Sequence, residues 1–487
     1  MTLRINQNPT AVNAHRNLTT NSKVQSQNLE RLSSGLKINR GADGPASLQI
    51  SERLRAQMSG LTQAIENTEV GVSFMQTTEA ALNEVSRVLI NARQLAVHAA
   101  NEGVNDEFML QADQQEIDNI LSVVDRVARD TQFGNVNLLD GSSGANATTT
   151  GAKLEFLGAT ESSQSSGVKG YGITISHAST RTEHTGSKAL TQAIIDGEEQ
   201  INLTEGGKTV KFFTQAGRSV EQTLNELQAA IADAGLNLDL LRPDPATTDN
   251  NAPQFIQLRH KEFGSEHSFS VVSTTAGLLS AAGDVSEVAQ NGTDIAGEIN
   301  GESAFGRGQV LTGGPGANTV EGTKILYTGE KAPAGGFAGT VTLNQRSRVF
   351  QIGANDGQTT AISLRSTFTN DLGKGVTNGS EFRTLRDIDV TTADQATDSI
   401  RVIDKSLEEV NSFRGRMGAF QANNLESNLN YLRTSRENVL SSESVIRDAD
   451  MASEMTQFTR NQILMQSSVA MLAQANQTPN HVMNLMT

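Results

Sequence analysis

The chain has 487 residues, room for two to four domains at ~100–200 residues each. Its formal net charge is −15, with 39 Lys+Arg against 54 Asp+Glu and no dense basic run, which excludes nucleic acid and anionic lipid as natural partners. Cysteine is absent, which excludes disulfides, thiolate metal sites and a thiol nucleophile.

Aromatic residues make up 4% and Trp is missing. Such a chain suits slender helices with narrow apolar seams, joined to Gly-rich β-domains. Met1–Asn21 has no continuous apolar core of the Sec-signal kind, and no stretch approaches ~20 apolar residues. The expectation is a cytoplasmic chain, or one exported without a cleaved signal, with no membrane insertion.

Near the N-terminus Leu29, Leu32 and Leu36 share one helical face. No proline falls between Pro45 and Pro243 or between Pro333 and Pro479. Both flanks can therefore hold unbroken helix, since an interior proline costs ~3 kcal/mol. Pro45 suits a first helical position. From there Leu54, Leu61, Met75, Leu82, Leu89 and Ala96 fall on one seven-residue series, with Thr68 its polar member. Met58, Ile65 and Val72 form a second series, four residues on. Two such series predict a coiled-coil seam of about 80 Å. Gly103 and Asn105 interrupt it, and a second helix is predicted from Asp106 to Gly134, read as its C′ glycine.

Gly141–Gln345 is rich in Gly, Thr, Ser and Asn. Strands are predicted at Gly172–Ser176, Thr209–Thr214, Phe255–Leu258, Ser268–Ser273, Lys324–Tyr327 and Thr340–Leu343, with one helix over Val220–Ala234. In the last flank Thr392 and Gln395 have capping-box spacing. Ile400 and Leu407 form one series there, and Ile403, Val410 and Met417 the other. The register then slips, and Leu425, Leu432, Val439 and Ile446 continue at sevens. The slip is assigned to the Gly415/Gly418 region. At the C-terminus Met451, Phe458, Met465 and Leu472 fall at sevens, flanked by Met455 and Val469. Short helices whose seams lack a partner are marginal in water, so the two ends are expected to stay disordered until covered.

These blocks resemble bacterial flagellin. The N-terminal match runs from Arg4 to Gly141 and includes LERLSSGLKINRGADGPASLQISERLRAQ (Leu29–Gln57) and FGNVNLLDG (Phe133–Gly141). The C-terminal match, from Arg383 to Met486, includes SSESVIRDADMASEM (Ser441–Met455) and QSSVAMLAQANQTPNHVMNLM (Gln466–Met486). FQIGANDGQT (Phe350–Thr359) resembles a segment that closely follows LLDG in many flagellins, so the insertion enters ahead of it. Within the insertion, INGESAFGRGQVLTGGPG (Ile299–Gly316) is similar to the hook-IN motif of flagellins and cap proteins.

The resemblance implies a mainly α coiled-coil or helical-bundle rod built from both termini, with a β-rich (α+β) inserted outer region. Residues 1–40 and 451–487 would form a terminal coiled-coil filament core. Residues 41–141 and 346–450 would form a helical rod with a small β-element, and 142–345 a surface-exposed insertion of two small subdomains. Self-assembly would use Leu29, Leu32, Leu36, Met451, Met455, Phe458, Met465, Val469 and Leu472. The rod seam would use Leu54, Leu61, Ile65, Leu82, Leu89, Leu425, Leu432 and Val439.

The implied activity is polymerisation into a swimming filament, after unfolded export through the flagellar type III channel. The implied partners are further copies, an export chaperone on the C-terminal helix, and hook-associated junction and cap proteins. The Toll-like flagellin receptor reads a surface matching Arg93, Leu95 and Glu116. Asn91 replaces an expected arginine there, losing a cation and its fork of donors, so strong recognition is not expected. A hook–filament junction protein, and a filament subunit whose insertion is adhesive, stay open as alternatives.

No catalytic, cofactor or metal site is expected. His260, Glu262, Glu266 and His267 lack the one-turn histidine pairing of a zinc helix and read as surface or strand-edge residues, as do His177 and His184. Gly313, Gly314 and Gly316 surround Pro315 with no Gly-Lys-Ser/Thr sequence after them, and read as a β-turn rather than a phosphate loop.

Overall fold

The computed structural model describes residues 8–101, 103–242 and 252–486. Arg4, Pro243 and Pro245 lie outside the described residues. The chain opens with α1 (Pro9–Ser34), α2 (Pro45–Ala99) and α3 (Glu107–Asp130), then β1 (Gln132–Phe133) and β2 (Val136–Asn137). β3 (Ala145–Thr150), β4 (Leu154–Gly158), β5 (Tyr171–His177) and β6 (Arg181–Thr185) lead to α4 (Gln192–Ile195). β7 (Gln200–Glu205), β8 (Lys208–Phe213), α5 (Val220–Asp233), β9 (Leu238–Leu241), β10 (Gln257–Phe263), β11 (Phe269–Ser273) and β12 (Glu287–Val288) follow. Next come β13 (Ala296–Ile299), β14 (Glu302–Arg307), β15 (Val310–Gly313), β16 (Lys324–Tyr327), β17 (Phe337–Gln345), β18 (Arg348–Gln351) and β19 (Thr359–Ile362). The last helices are α6 (Ala393–Ala419), α7 (Ser427–Arg447) and α8 (Met451–Met486).

Two compact units result. The first takes in residues up to Val72, Phe350–Thr360, and the chain from Ala422. Here α1 begins under an Asn8 cap, which accepts from the Ala11 amide, with Pro9 at the first position. It ends at Gly35, whose φ of +73° carries the chain into a left-handed turn that a side chain would strain. Leu36 then bridges Asp448 in a short antiparallel ladder, with Lys37 N to Arg447 O at 2.7 Å and Ala449 N to Gly35 O at 2.9 Å. Asp450 caps α8 through the Ala452 and Ser453 amides.

Nearby, Leu61, Ala64 and Ile65 of α2 pack on Leu432 of α7, with Leu429 and Val439 alongside. Thr68 is fully buried in this seam, and its hydroxyl donates to Ala64 O at 2.7 Å, so burial leaves no orphan group. Gly71 faces Leu425, and a Cβ there would make ordinary contact with it.

In the second unit, Met75, Leu82, Leu89 and Ala96 of α2 are buried on one series. Their companions are Thr78, Val85, Ala92 and Ala99, three residues on rather than four. The seam thus keeps its first series, and the three-on companions, already buried at Ala64 and Gly71, continue where the four-on series of Ile65 and Val72 gives way. Ile117, Leu121, Val124 and Ala128 of α3 complete one wall. Asp106 caps α3, but the helix ends at Asp130. Gly134, expected as its C′ residue, lies in the β1–β2 turn with φ +61°.

On α6 the buried series are Ala396, Ile403, Val410 and Met417 with Ser399, Ser406 and Phe413. Ile400 and Leu407, expected there, are half-buried. Serine wins because its hydroxyl can turn back on the chain: Ser406 Oγ donates to Val402 O at 2.8 Å. The register slip is not at Gly415 or Gly418, both in regular α-helix. It is a seven-residue π-helical segment, Phe420–Glu426. A π segment inserts one residue, which matches the step of eight from Met417 to Leu425.

The second unit also holds the β-structure. An eight-stranded antiparallel sheet runs β3-β17-β5-β13-β14-β15-β16-β4 around Ile173, Ile175, Ile299, Leu311, Ile325 and Val341. Between β5 and β13 the chain builds a second core. There a four-stranded sheet (β12-β11-β7-β8) and a three-stranded sheet (β6-β10-β9) bury Ile201, Leu203, Leu258 and Val271 with Leu224, Leu227 and Ile231 of α5. Ser219 and Gln222 close a reciprocal capping box on α5.

Deleting Asn423 would return Phe420–Glu426 to an α-helical repeat with seven residues from Met417 to the present Leu425, so both keep their faces. The expected change in urea unfolding, followed by helical circular dichroism, is well below the about 2–5 kcal/mol of Leu432→Ala. A loss as large as that of Leu432→Ala would mean that the π segment does more than absorb the extra residue.

Candidate assembly surfaces

The terminal pair is antiparallel. Asn8 Nδ2 donates to Ala475 O at 2.8 Å, Asn21 Nδ2 to Ser468 Oγ at 2.8 Å, and Arg31 Nη1 to Glu454 Oε1 at 3.2 Å. The covered positions of α8 are Glu454, Phe458, Asn461, Met465, Ser468, Leu472 and Ala475, alternating by four and three. Of the expected seam residues, Phe458, Met465, Leu472, Leu32 and Leu36 are partly covered. Met451, Met455, Val469 and Leu29 are not: each is 47–51% exposed. Apolar spacing alone does not say which of two neighbouring series turns inward. Polar residues at Asn461 and Ser468 take the second series because Asn21 and other α1 groups can bond to that side.

The consequence is that α8 leaves six apolar side chains uncovered: Met451, Met455 and Val469 along one flank, Leu464 and Met471 along the other, and Ile463 between them. Ile90 and Val97 of α2, Val104 in the turn after it and Phe108 of α3 are also exposed. Sequence reasoning passed over them because Ile90, Val97 and Val104 repeat at sevens one residue beyond the stronger Leu82/Leu89/Ala96 series.

In the rod, Leu61, Ile65, Leu82, Leu89, Leu425 and Leu432 are buried, while Leu54 and Val439 are half-buried. Arg93 does not stand free. Its guanidinium grips Asp404 of α6 through both carboxylate oxygens, at 2.6 and 3.3 Å, and that pairing raises its pKa above the ordinary arginine value. Leu95 is half-buried and Glu116 exposed.

His260 is 1% exposed, not a surface residue as expected. Its Nε2 lies 2.9 Å from Glu205 Oε1, the Glu262 amide donates to its Nδ1, and its ring stacks on His267 at 4.8 Å. Burial pushes the Glu205 carboxyl up, but hydrogen bonds from His260 and the Asn237 amide outweigh it and hold the pKa below the ordinary glutamate value. This is a packed polar core, and among the described residues no group of three or more His, Asp or Glu could hold a metal. The Ile299–Gly316 segment forms the β13-β14-β15 meander. Its first turn is Asn300-Gly301, both at positive φ, as a tight two-residue hairpin requires. Gly313 lies in β15, where a Cβ would strike Val320 O, so no phosphate loop forms. Among the described residues no helix is long and apolar enough to cross a membrane.

Residues 5–144 match the family model of the bacterial flagellin N-terminal helical region, and 400–486 that of the C-terminal helical region. The chain is 30% identical over 473 residues to a flagellin of Clostridium tyrobutyricum, covering 97% of this chain and 99% of the relative. It is 28% identical over 489 residues to polar flagellin F of Vibrio parahaemolyticus, covering 100% of each. A solved structure of FliC from Burkholderia pseudomallei aligns at TM-score 0.25 and 16% identity, over 72% of this chain and 99% of that one. Paired terminal helices around a β-rich insertion, with apolar helix faces left uncovered, define a self-assembling structural subunit rather than an enzyme. The chain belongs to the flagellin family, whose members build the extracellular filament of the bacterial flagellum.

Replacing Arg93 with Ala should cost only about 0.2–1 kcal/mol in urea unfolding, because the Arg93–Asp404 pair is half-exposed and screened. A loss above about 2 kcal/mol would mean that the pair holds α2 against α6 more tightly than a surface latch.

Proposed function

We propose that this flagellin assembles through the outer face of α8, with residues 1–40 and 451–487 as the filament core. In this reading 41–141 and 346–450 form the rod, and 142–345 faces solvent. The observation that carries it is the pair of faces on α8. One is already used against α1, and the uncovered remainder of the helix presents six apolar side chains to water. Full burial of such a side chain is worth about 1.5–3 kcal/mol, enough in sum to drive association of neighbouring copies in an open helical array. The exposed Ile90, Val97, Val104 and Phe108 would serve contacts between neighbouring rods.

Before assembly the same α8 face needs cover, which is the role of an export chaperone. Export unfolded through the flagellar channel fits a chain without disulfide cross-links. Hook-associated junction and cap proteins would meet the filament ends through related terminal helices. Recognition by the Toll-like flagellin receptor is expected to be weak, since Arg93 is engaged by Asp404 and Asn91 offers no cation.

The reading separates two substitutions one residue apart. Leu472→Asp strikes the α1 side and should lose terminal helicity and polymerisation while the rod stays folded. Met471→Asp, on the outer side, should keep helicity by circular dichroism yet form no filaments in seeded electron microscopy. Normal filaments from Met471→Asp would remove the outer face as the assembly surface. A chain lacking 1–40 and 451–487 should stay monomeric under the same seeding.

A further inference from the structure

The seam between α1 and α8 contains a polar cluster that its apolar residues do not explain. Asn28 is 2% exposed and Glu454 6% exposed. Arg31 reaches one oxygen of Glu454 at 3.2 Å, but the other oxygen, Oε2, is buried without a partner. Asn28 Nδ2 is likewise buried and unpartnered. A buried carboxylate with one oxygen unmet and the other on a partly exposed arginine, beside a buried amide with an unmet N–H, is costlier than leucine at the same positions.

The apolar part of the seam has a different weakness. On α8 it repeats Phe458, Met465 and Leu472 at sevens, and α1 offers Leu18 and Leu32, two heptads apart. Sliding one helix by a heptad, about 10 Å, still sets leucine against an aromatic, methionine or leucine. Apolar packing therefore scarcely separates the native register from its neighbours. The polar cluster separates them sharply, because one heptad of slip leaves the Glu454 carboxylate buried without Arg31.

We propose that Asn28, Arg31 and Glu454 are the register-determining residues of the terminal helix pair, selecting one antiparallel alignment at a cost in stability. This rests on the reading that α1 and α8 act as a pair in assembly. The Lys37–Arg447 backbone ladder stands close by, but its two hydrogen bonds lie in segments that water partly reaches and can be exchanged for water, whereas a buried carboxylate cannot.

The absence of cysteine makes the test clean. Asn21→Cys with Ser468→Cys reports the native register, since these side chains are in hydrogen-bond contact. Asn21→Cys with Asn461→Cys or with Ala475→Cys reports a slip of one heptad either way. Each pair is placed in the full chain with the cluster intact, and again with Asn28→Leu, Arg31→Leu and Glu454→Leu together. Intrachain disulfides formed under mild oxidation are counted by peptide mass, in monomer and under seeded polymerisation.

With the cluster intact, the native pair should exceed either slipped pair by about tenfold or more, the discrimination expected of one buried charge pair. With the cluster removed, that ratio should fall below about threefold while the helical melting temperature holds or rises. Exchanging the charges, Arg31→Glu with Glu454→Arg, should restore the native preference. A cluster-free chain that keeps the tenfold preference would assign the register to the backbone ladder and overturn the proposal. Equal cross-linking of all pairs with the cluster intact would overturn it as well. Absence of every cross-link would instead overturn the pairing of α1 with α8, and with it the reading on which the proposal rests.

Discussion

The fold depends on one helix that runs 55 residues with no proline beyond its first position, α2, and on the seven-residue series along it. In the first unit that series backs Leu432, and in the second it backs α3 and α6. A seam this long needs small residues where neighbours come close and must satisfy every polar group it buries. Ala64, Gly71, Ala92, Ala96 and Ala99 meet the first demand, and Thr68 and Thr78, each bonded back to its own helix, meet the second. A chain with 4% aromatic residues builds its long helices on this narrow seam.

Such seams are thin, and their energetics shape the rest. A bulky core residue buries most of its surface, but a seam residue on an isolated helix pair buries about half. Along α1 and α8 almost nothing is fully buried; Asn28 and Glu454 are the exceptions among the described side chains. The terminal pair is therefore weak on its own, and in the assembly proposed above it would gain stability when further copies cover it. Under that proposal weakness is useful, because ends that are firm in the monomer would associate too early.

Much of this was legible in the residues, for local reasons. Pro45 and the Thr392/Gln395 pair mark helix starts that the structure keeps. Lys324–Tyr327 and Val220–Asp233 read cleanly because periodicity and flanking turn residues agree. What escaped depends on partners far along the chain. Nothing near Phe420 announces a π segment; it follows from the need of two seams, Met417 and Leu425, to face their own neighbours. Ser399 and Ser406 displaced Ile400 and Leu407 because a serine bonded to backbone packs where a close neighbour leaves no room for a larger chain. His260 looked like a surface residue because Glu205, its partner, lies 55 positions away on another strand.

The terminal helix shows why periodicity has this limit. Met451, Met455 and Val469 have the spacing of a seam, and so do Glu454, Asn461 and Ser468. A helix meeting one partner has one apolar stripe, but a helix meeting several has more, and each stripe blurs the others' signal. Where two stripes compete, the polar residues decide: α1 supplies Arg31 and Asn21, so the stripe carrying Glu454 and Ser468 turns toward it. The apolar stripe is thereby left outward. Hydrophobicity would place the more apolar face inside a monomer; pairing by polar residues leaves it free for the contacts between copies proposed above.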